Sequence, residues 1–160
     1  MIRTRIVSAF PGSGKTYYHS NNPETTLDSD SSNFSWIVDE DGNKKRNPDF
    51  PNNYINYIKE NIGKYEFIFV STHKEVRKAL LDNCIFFYLI YPLYRNELIK
   101  DEFIQRYKDR NSSKEFIKTL ESKWHDWTKE CYLEEKGCRN ICMVFKYLSD
   151  EINIIKDNDL

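Results

Sequence analysis

The stretch Ser8-Ala9-Phe10-Pro11-Gly12-Ser13-Gly14-Lys15-Thr16 limits what this chain can become more than any other feature. It follows a short apolar run, Ile6-Val7, and precedes a segment that reads as a helix. A strand, a tight glycine-rich turn ending in Gly-Lys-Thr and a helix start together form a shell of inward-pointing backbone N–H groups. The helix end adds partial positive charge, so the shell suits an anion. Pro11, Gly12, Ser13, Gly14, Lys15 and Thr16 are its expected walls. At this spacing Lys15 reaches the β- and γ-phosphates of a nucleotide, and the Thr16 hydroxyl holds Mg²⁺. The fuller pattern carries glycine where this chain has Ala9. Alanine serves there provided its φ is negative.

Composition narrows the setting. With 160 residues the chain is long enough to bury one core, and it shows no repeat or linker, so a single domain over 1–160 is expected. A formal charge of −1 with 31% charged residues gives no global pull toward nucleic acid or a membrane surface. The longest apolar run, Cys84 to Tyr91, is strand-sized, so the chain reads as soluble and cytoplasmic. Cys84, Cys131, Cys138 and Cys142 form no C-x-x-C pair and are expected to be reduced and mostly buried.

In order, residues 2–9 read as a strand and 14–20 as a short helix stopped by Asn21-Asn22-Pro23. Glu24 to Leu27 reads as a second strand with Asp28 at its carboxyl end. In open α/β sheets ligands gather at such ends. Of Asp28 and Asp30, one is a candidate to hold a metal through water and the other to orient or deprotonate an acceptor. An Asx-turn is the alternative reading of this pair. Residues 33–50 lack clear periodicity, with an extended piece at 36–38 and a turn at 39–43. About 33–53 is the expected acceptor-binding segment, with Trp36 or Phe34 stacking on a ring and Lys44, Lys45 or Arg46 holding a phosphate.

A helix over about 52–62 and a buried strand from Tyr65 to Val70 follow. That strand carries no acidic residue at its end, which shifts metal ordering to Asp28 or Asp30, while Ser71 and Thr72 could still bind a metal-bound water. His73 reads as a cap or surface histidine. Lys74 and Arg77, one turn apart on the next helix, either contact substrate anions or form its wet face. The strand from Cys84 to Tyr91 ends at Pro92. A helix over about 95–109 then carries Arg106 and Arg110 on one face, and the capping box Ser112 to Glu115 opens another running to about Glu135. Residues 95–115 read as a small lid whose two arginines spread over a γ-phosphate, or else pair with Asp109 or Glu102. Trp124, Trp127 and Tyr132 read as core, Asn140 to Tyr147 as the last strand, and 149–160 as a terminal helix and tail.

The element order resembles the nucleoside monophosphate kinase branch of P-loop proteins, which includes adenylate, shikimate and gluconate kinases. The resemblance is carried by Gly12-Ser13-Gly14-Lys15-Thr16, by Leu27-Asp28-Ser29-Asp30, which is similar to the Asp-x-Asp of shikimate kinases, and by Ser71-Thr72-His73-Lys74 with Arg77. The Asp-Gly-Phe-Pro-Arg stretch of adenylate kinases is absent. The Lys/Asn/Ile/Tyr-rich composition is similar to that of phage-encoded nucleotide kinases. The resemblance implies a three-layer α/β/α P-loop fold with a five-stranded parallel sheet and a small helical lid. It implies Asp28 ordering Mg²⁺ and Asp30 addressing the acceptor.

The expectation is thus a kinase that uses ATP and Mg²⁺. Lys15, Asp30, Arg106 and Arg110 would be catalytic, Thr16 and Asp28 would hold metal, and Asp30, Trp36, Lys74 and Arg77 would bind the acceptor. A (deoxy)nucleoside monophosphate is the expected acceptor. A hydroxyl on a small metabolite or a polynucleotide 5′ end is one alternative, although the near-neutral charge speaks against nucleic acid. A nucleotide-binding module without catalysis is another.

Overall fold

The computed structural model describes residues 1–134, 137–143 and 147–157. The chain runs β1 (Arg5–Ala9), α1 (Lys15–Asn21), β2 (Thr26–Asp28), α2 (Ser32–Ser35), β3 (Trp36–Val38), β4 (Lys44–Arg46) and α3 (Asn52–Asn61). It continues through β5 (Phe67–Val70), α4 (Lys74–Asp82), β6 (Phe87–Pro92), α5 (Glu97–Asp109), α6 (Lys114–Tyr132), β7 (Cys138–Met143) and α7 (Leu148–Asp157).

Five strands form one all-parallel sheet in the order β2-β5-β1-β6-β7. The strands on either side of β1 are apolar runs without alternation, and β1 itself is buried from Ile6 to Ala9, as strands covered on both faces must be. Phe67 to Val70 and Phe87 to Pro92 are buried throughout. Ile6 lies opposite Ile68 on one side and Phe87 on the other. From β1 the chain steps outward to β2. Every later step in the sheet runs the opposite way. Right-handed crossovers then put α1 on one face and α3 to α6 on the other. The packing agrees: α1 meets α7, α3 meets α4, and α5 meets α6. The fold is α/β with helices on both faces of a five-stranded parallel sheet. Among the described residues no helix is long and apolar enough to cross a membrane.

The core reaches the carboxyl edge of the sheet through Trp124. Its ring meets Phe10 and Phe103 edge-on, each at 5.4 Å between centroids. Phe10 is the first residue after β1, so this cluster ties α5 and α6 to the turn that follows. Two side-chain caps set those helices. Asn96 accepts a hydrogen bond from the Ile99 N–H, and Ser113 accepts one from the Phe116 N–H at 3.2 Å.

Several boundaries differ from expectation. The cap of α6 is Ser113 rather than Ser112. The first strand starts at Arg5, and Met1 and Ile2 are exposed. Pro92 closes β6 instead of breaking it, lying opposite Met143. The segment 33–50 is ordered as α2 followed by an antiparallel β3–β4 hairpin, with Trp36 opposite Arg46. Of the cysteines only Cys131 is buried; Cys84 and Cys142 are exposed. The expected strand residues 144–146, the helix end at Glu135 and the tail at 158–160 lie outside the described residues.

Candidate functional site

Everything that bears on the candidate site leaves the carboxyl edge of the sheet. The turn after β1 is set by two glycines in the left-handed region, Gly12 at φ 83° and Gly14 at φ 101°. Gly14 is also the N-cap of α1, whose first amides have no partner within the helix. The Ser13 N–H donates to the Phe10 carbonyl at 3.1 Å and closes the turn. Ala9 is a regular strand residue opposite Ile90, without the positive φ that would call for glycine. Above the turn α5 sits close: a Cβ on Gly12 would come within 2.9 Å of the Tyr107 ring.

Lys15 folds back across this turn and its Nζ donates to the Ala9 carbonyl at 2.6 Å. Burial pushes its pKa down to about 8, against the raising influence of Asp28 and Asp30. Thr16 Oγ1 donates to Asp28 Oδ2 at 2.9 Å, so the two residues expected to hold a metal touch each other. Asp30 Oδ1 accepts from the Ser32 N–H at 2.9 Å. That is the Asx-turn read as the alternative, and among the described residues Asp30 Oδ2 has no hydrogen-bond partner. Hydroxyls lace the three strand ends together. Ser8 donates to the Ser71 carbonyl at 3.0 Å, Ser71 to the Ser31 hydroxyl at 3.0 Å, and Tyr54 to the Ser29 carbonyl at 2.8 Å.

A cavity of about 340 Å³ opens over the turn, with Lys15, Thr16, Asp28, Asp30, His73 and Arg110 in its wall. Arg106 is not in that wall, which corrects the expectation of two arginines over one anion. Arg106 is 8% exposed and sits behind the turn. Its Nη1 donates to the Gly12 carbonyl at 2.9 Å and its Nη2 to Glu102 at 2.6 Å. Its guanidinium lies 4.4 Å from the Phe103 ring centre and 4.0 Å from that of Tyr147. Arg106 therefore clamps α5 to the turn, while exposed Arg110 remains on the cavity side, 5.6 Å from the Tyr107 ring centre.

A second cavity of about 600 Å³ adjoins the first, between the start of α4 and the outer face of α6. Lys74 lines it, as do Phe116 and Trp127. Trp127 was expected in the core; it is only partly buried, whereas Trp124, one turn earlier, is fully buried. Two expected acceptor residues lie elsewhere. Arg77 is 2% exposed, bonded to the Thr72 carbonyl at 3.0 Å, to Glu134 at 2.5 Å and to Glu130 at 3.3 Å. It ties α4 to α6 and cannot reach a ligand without breaking these bonds. Trp36, 47% exposed, lines neither of these cavities. Its ring faces Arg46 at 5.4 Å, and Arg46 in turn lies 4.7 Å from the Phe50 ring centre and pairs with Glu75.

His73, passed over in the sequence, stands in the wall of both cavities. Burial lowers its pKa; Glu75 opposes this, and Lys15 and Arg46 add to it. The signal that marks it is position alone, three residues past the end of β5. The donor set for a metal is one hydroxyl and one carboxylate in contact, with Asp30 nearby. Among the described residues no cluster of three His, Cys, Asp or Glu side chains exists. Thr16 and Asp28 fit Mg²⁺, which is held by one or two carboxylates plus substrate phosphates rather than by an all-protein cage. Compared with known proteins, this chain matches no family model and no curated protein.

Proposed function

We propose that this chain is an ATP-dependent phosphotransferase of the P-loop kinase type, moving the γ-phosphoryl group to a small acceptor. The observation that carries the reading is the joint placement of the Gly12–Gly14 turn, Lys15, and the hydrogen-bonded Thr16–Asp28 pair in one cavity. The turn offers amides to phosphate oxygens, and Lys15 exchanges its bond to the Ala9 carbonyl for the β- and γ-phosphates. Thr16 and Asp28 would hold Mg²⁺, whose chemistry there is to offset phosphate charge. An acceptor oxygen attacks the γ-phosphorus. The bond from that phosphorus to the β–γ bridging oxygen breaks, and ADP leaves with the electron pair. Lys15 and Arg110 face the charge that spreads over the γ-oxygens, and Arg106 fixes the turn from behind.

A (deoxy)nucleoside monophosphate is the acceptor favoured by an adjoining cavity that presents aromatic rings and a lysine. A hydroxyl acceptor is the second reading. It is favoured by Asp30 and His73 flanking Lys15, because only an acceptor that must lose a proton needs a base there. The test is incubation with Mg²⁺ and γ-labelled ATP against nucleoside monophosphates, sugars and 5′-OH oligonucleotides. Label transfer to one acceptor class, lost in Lys15→Ala, supports the proposal. ATP bound without transfer to any acceptor would overturn it in favour of a binding module.

A further inference from the structure

We infer that the 600 Å³ cavity between α4 and α6 is where the acceptor's planar ring sits, and that it takes a nucleoside monophosphate with its phosphate toward Lys74. This rests on the kinase reading, but it moves the acceptor away from the 33–53 segment to a wall built by different elements.

Four observations carry it. The volume falls in the range of small-molecule sites. Pro11, Lys15, Ser71 and His73 belong to this cavity and to the phosphate cavity alike, so whatever fills the larger space lies against the transferred group. The aromatic surface is available: Trp127 is only partly buried and Phe116 is exposed. By contrast the Trp36 ring is already faced by Arg46.

The charges fit a small anion. Two carboxylates line the cavity, and each is paired with a cation outside it: Glu75 with Arg46, and Glu130 with Arg77, which Glu134 shares. Lys78 pairs with Asp82. Lys74 has no carboxylate partner among the described residues, so it is the cation left to meet an anion in this space, whereas Lys15 also feels Asp28 and Asp30. A flat ring against Trp127 and Phe116 with a phosphate at Lys74 satisfies both the apolar and the charged wall.

The experiment measures equilibrium binding of AMP, GMP, CMP and dTMP to the full chain. A non-hydrolysable ATP analogue with Mg²⁺ is kept saturating, and its own Kd is determined separately. Trp127→Leu and Lys74→Gln are compared with Trp36→Ala. Lys74 is exposed, so its variant keeps the fold even if Trp127→Leu does not. The expected result is binding of at least one monophosphate, weakened about tenfold or more in Trp127→Leu and Lys74→Gln, with the ATP-analogue Kd held within about twofold. Trp36→Ala should leave monophosphate binding within about twofold of wild type. The inference is overturned if Trp36→Ala weakens binding while the other two do not, or if none of the four monophosphates binds. Failure of the ATP analogue to bind would instead sink the kinase reading, and monophosphate binding sensitive to Trp127 and Lys74 would still locate the cavity's ligand.

Discussion

Replacing Lys15 by methionine should make the protein more stable while removing the proposed phosphoryl transfer. The side chain keeps a flexible, nearly as long stem but sheds a charge that the fold holds at a cost. The Lys15 pKa falls from 10.5 to about 8, chiefly through burial. At about 1.4 kcal/mol per tenfold change in proton affinity, the charged form is disfavoured by about 3 kcal/mol relative to the unfolded chain. Methionine escapes that cost but forfeits the bond to the Ala9 carbonyl, which offsets about 1 kcal/mol. A net gain of about 2 kcal/mol corresponds to roughly 4–8 °C in Tm for a chain of this size. The pH dependence fixes the sign. Between pH 8 and 10.5 the unfolded lysine holds more proton than the folded one, so wild-type stability relative to the variant rises across that window. Groups that titrate in both proteins cancel in the difference. Thermal unfolding of the two at pH 7, 8.5 and 10 should show a gap that narrows as pH rises. A methionine variant less stable than wild type at pH 7, or a gap that does not shrink, refutes the reasoning.

Asp28→Asn keeps an oxygen for the Thr16 hydroxyl but loses the charge; the Mg²⁺ concentration for half-maximal transfer should rise by about tenfold, read by titrating the metal at fixed ATP. Arg106→Lys keeps a charge but cannot bond Gly12 and Glu102 together between two rings. Denaturant unfolding should show a loss of about 2 kcal/mol, and kcat should drop although Arg110 is intact. Arg77→Ala strips a buried cation from Glu130 and Glu134 and should cost about 3 kcal/mol by denaturant unfolding. The variant that remains folded should keep its Mg·ATP Kd within about twofold, because Arg77 lies outside the phosphate cavity.

The parallel sheet was legible because strands buried on both faces read as unbroken apolar runs, as Phe67 to Val70 does. The hairpin was half legible. Asp39 to Asn43 announces a turn, but neither strand buries a face, so Lys44-Lys45-Arg46 carries no alternation to betray it. Helical spacing put Arg106 and Arg110 on one side of α5. What separates them is the Gly12 carbonyl, 94 residues away, which draws one guanidinium behind the turn. Arg77 looked like a wet lysine's neighbour because its partners are 53 and 57 residues distant. Trp124 and Trp127 share a helix and a residue type. Which of them enters the core depends on where Phe10 and Phe103 stand, and local spacing does not encode that.

The proposed kinase seats a triphosphate on the Gly12–Gly14 turn against Lys15. Calorimetric titration of the chain with Mg·ATP tests this most directly. One ATP should bind per chain, with affinity falling about a hundredfold or more in Lys15→Ala. Binding of equal strength to both proteins, or none to wild type, contradicts it.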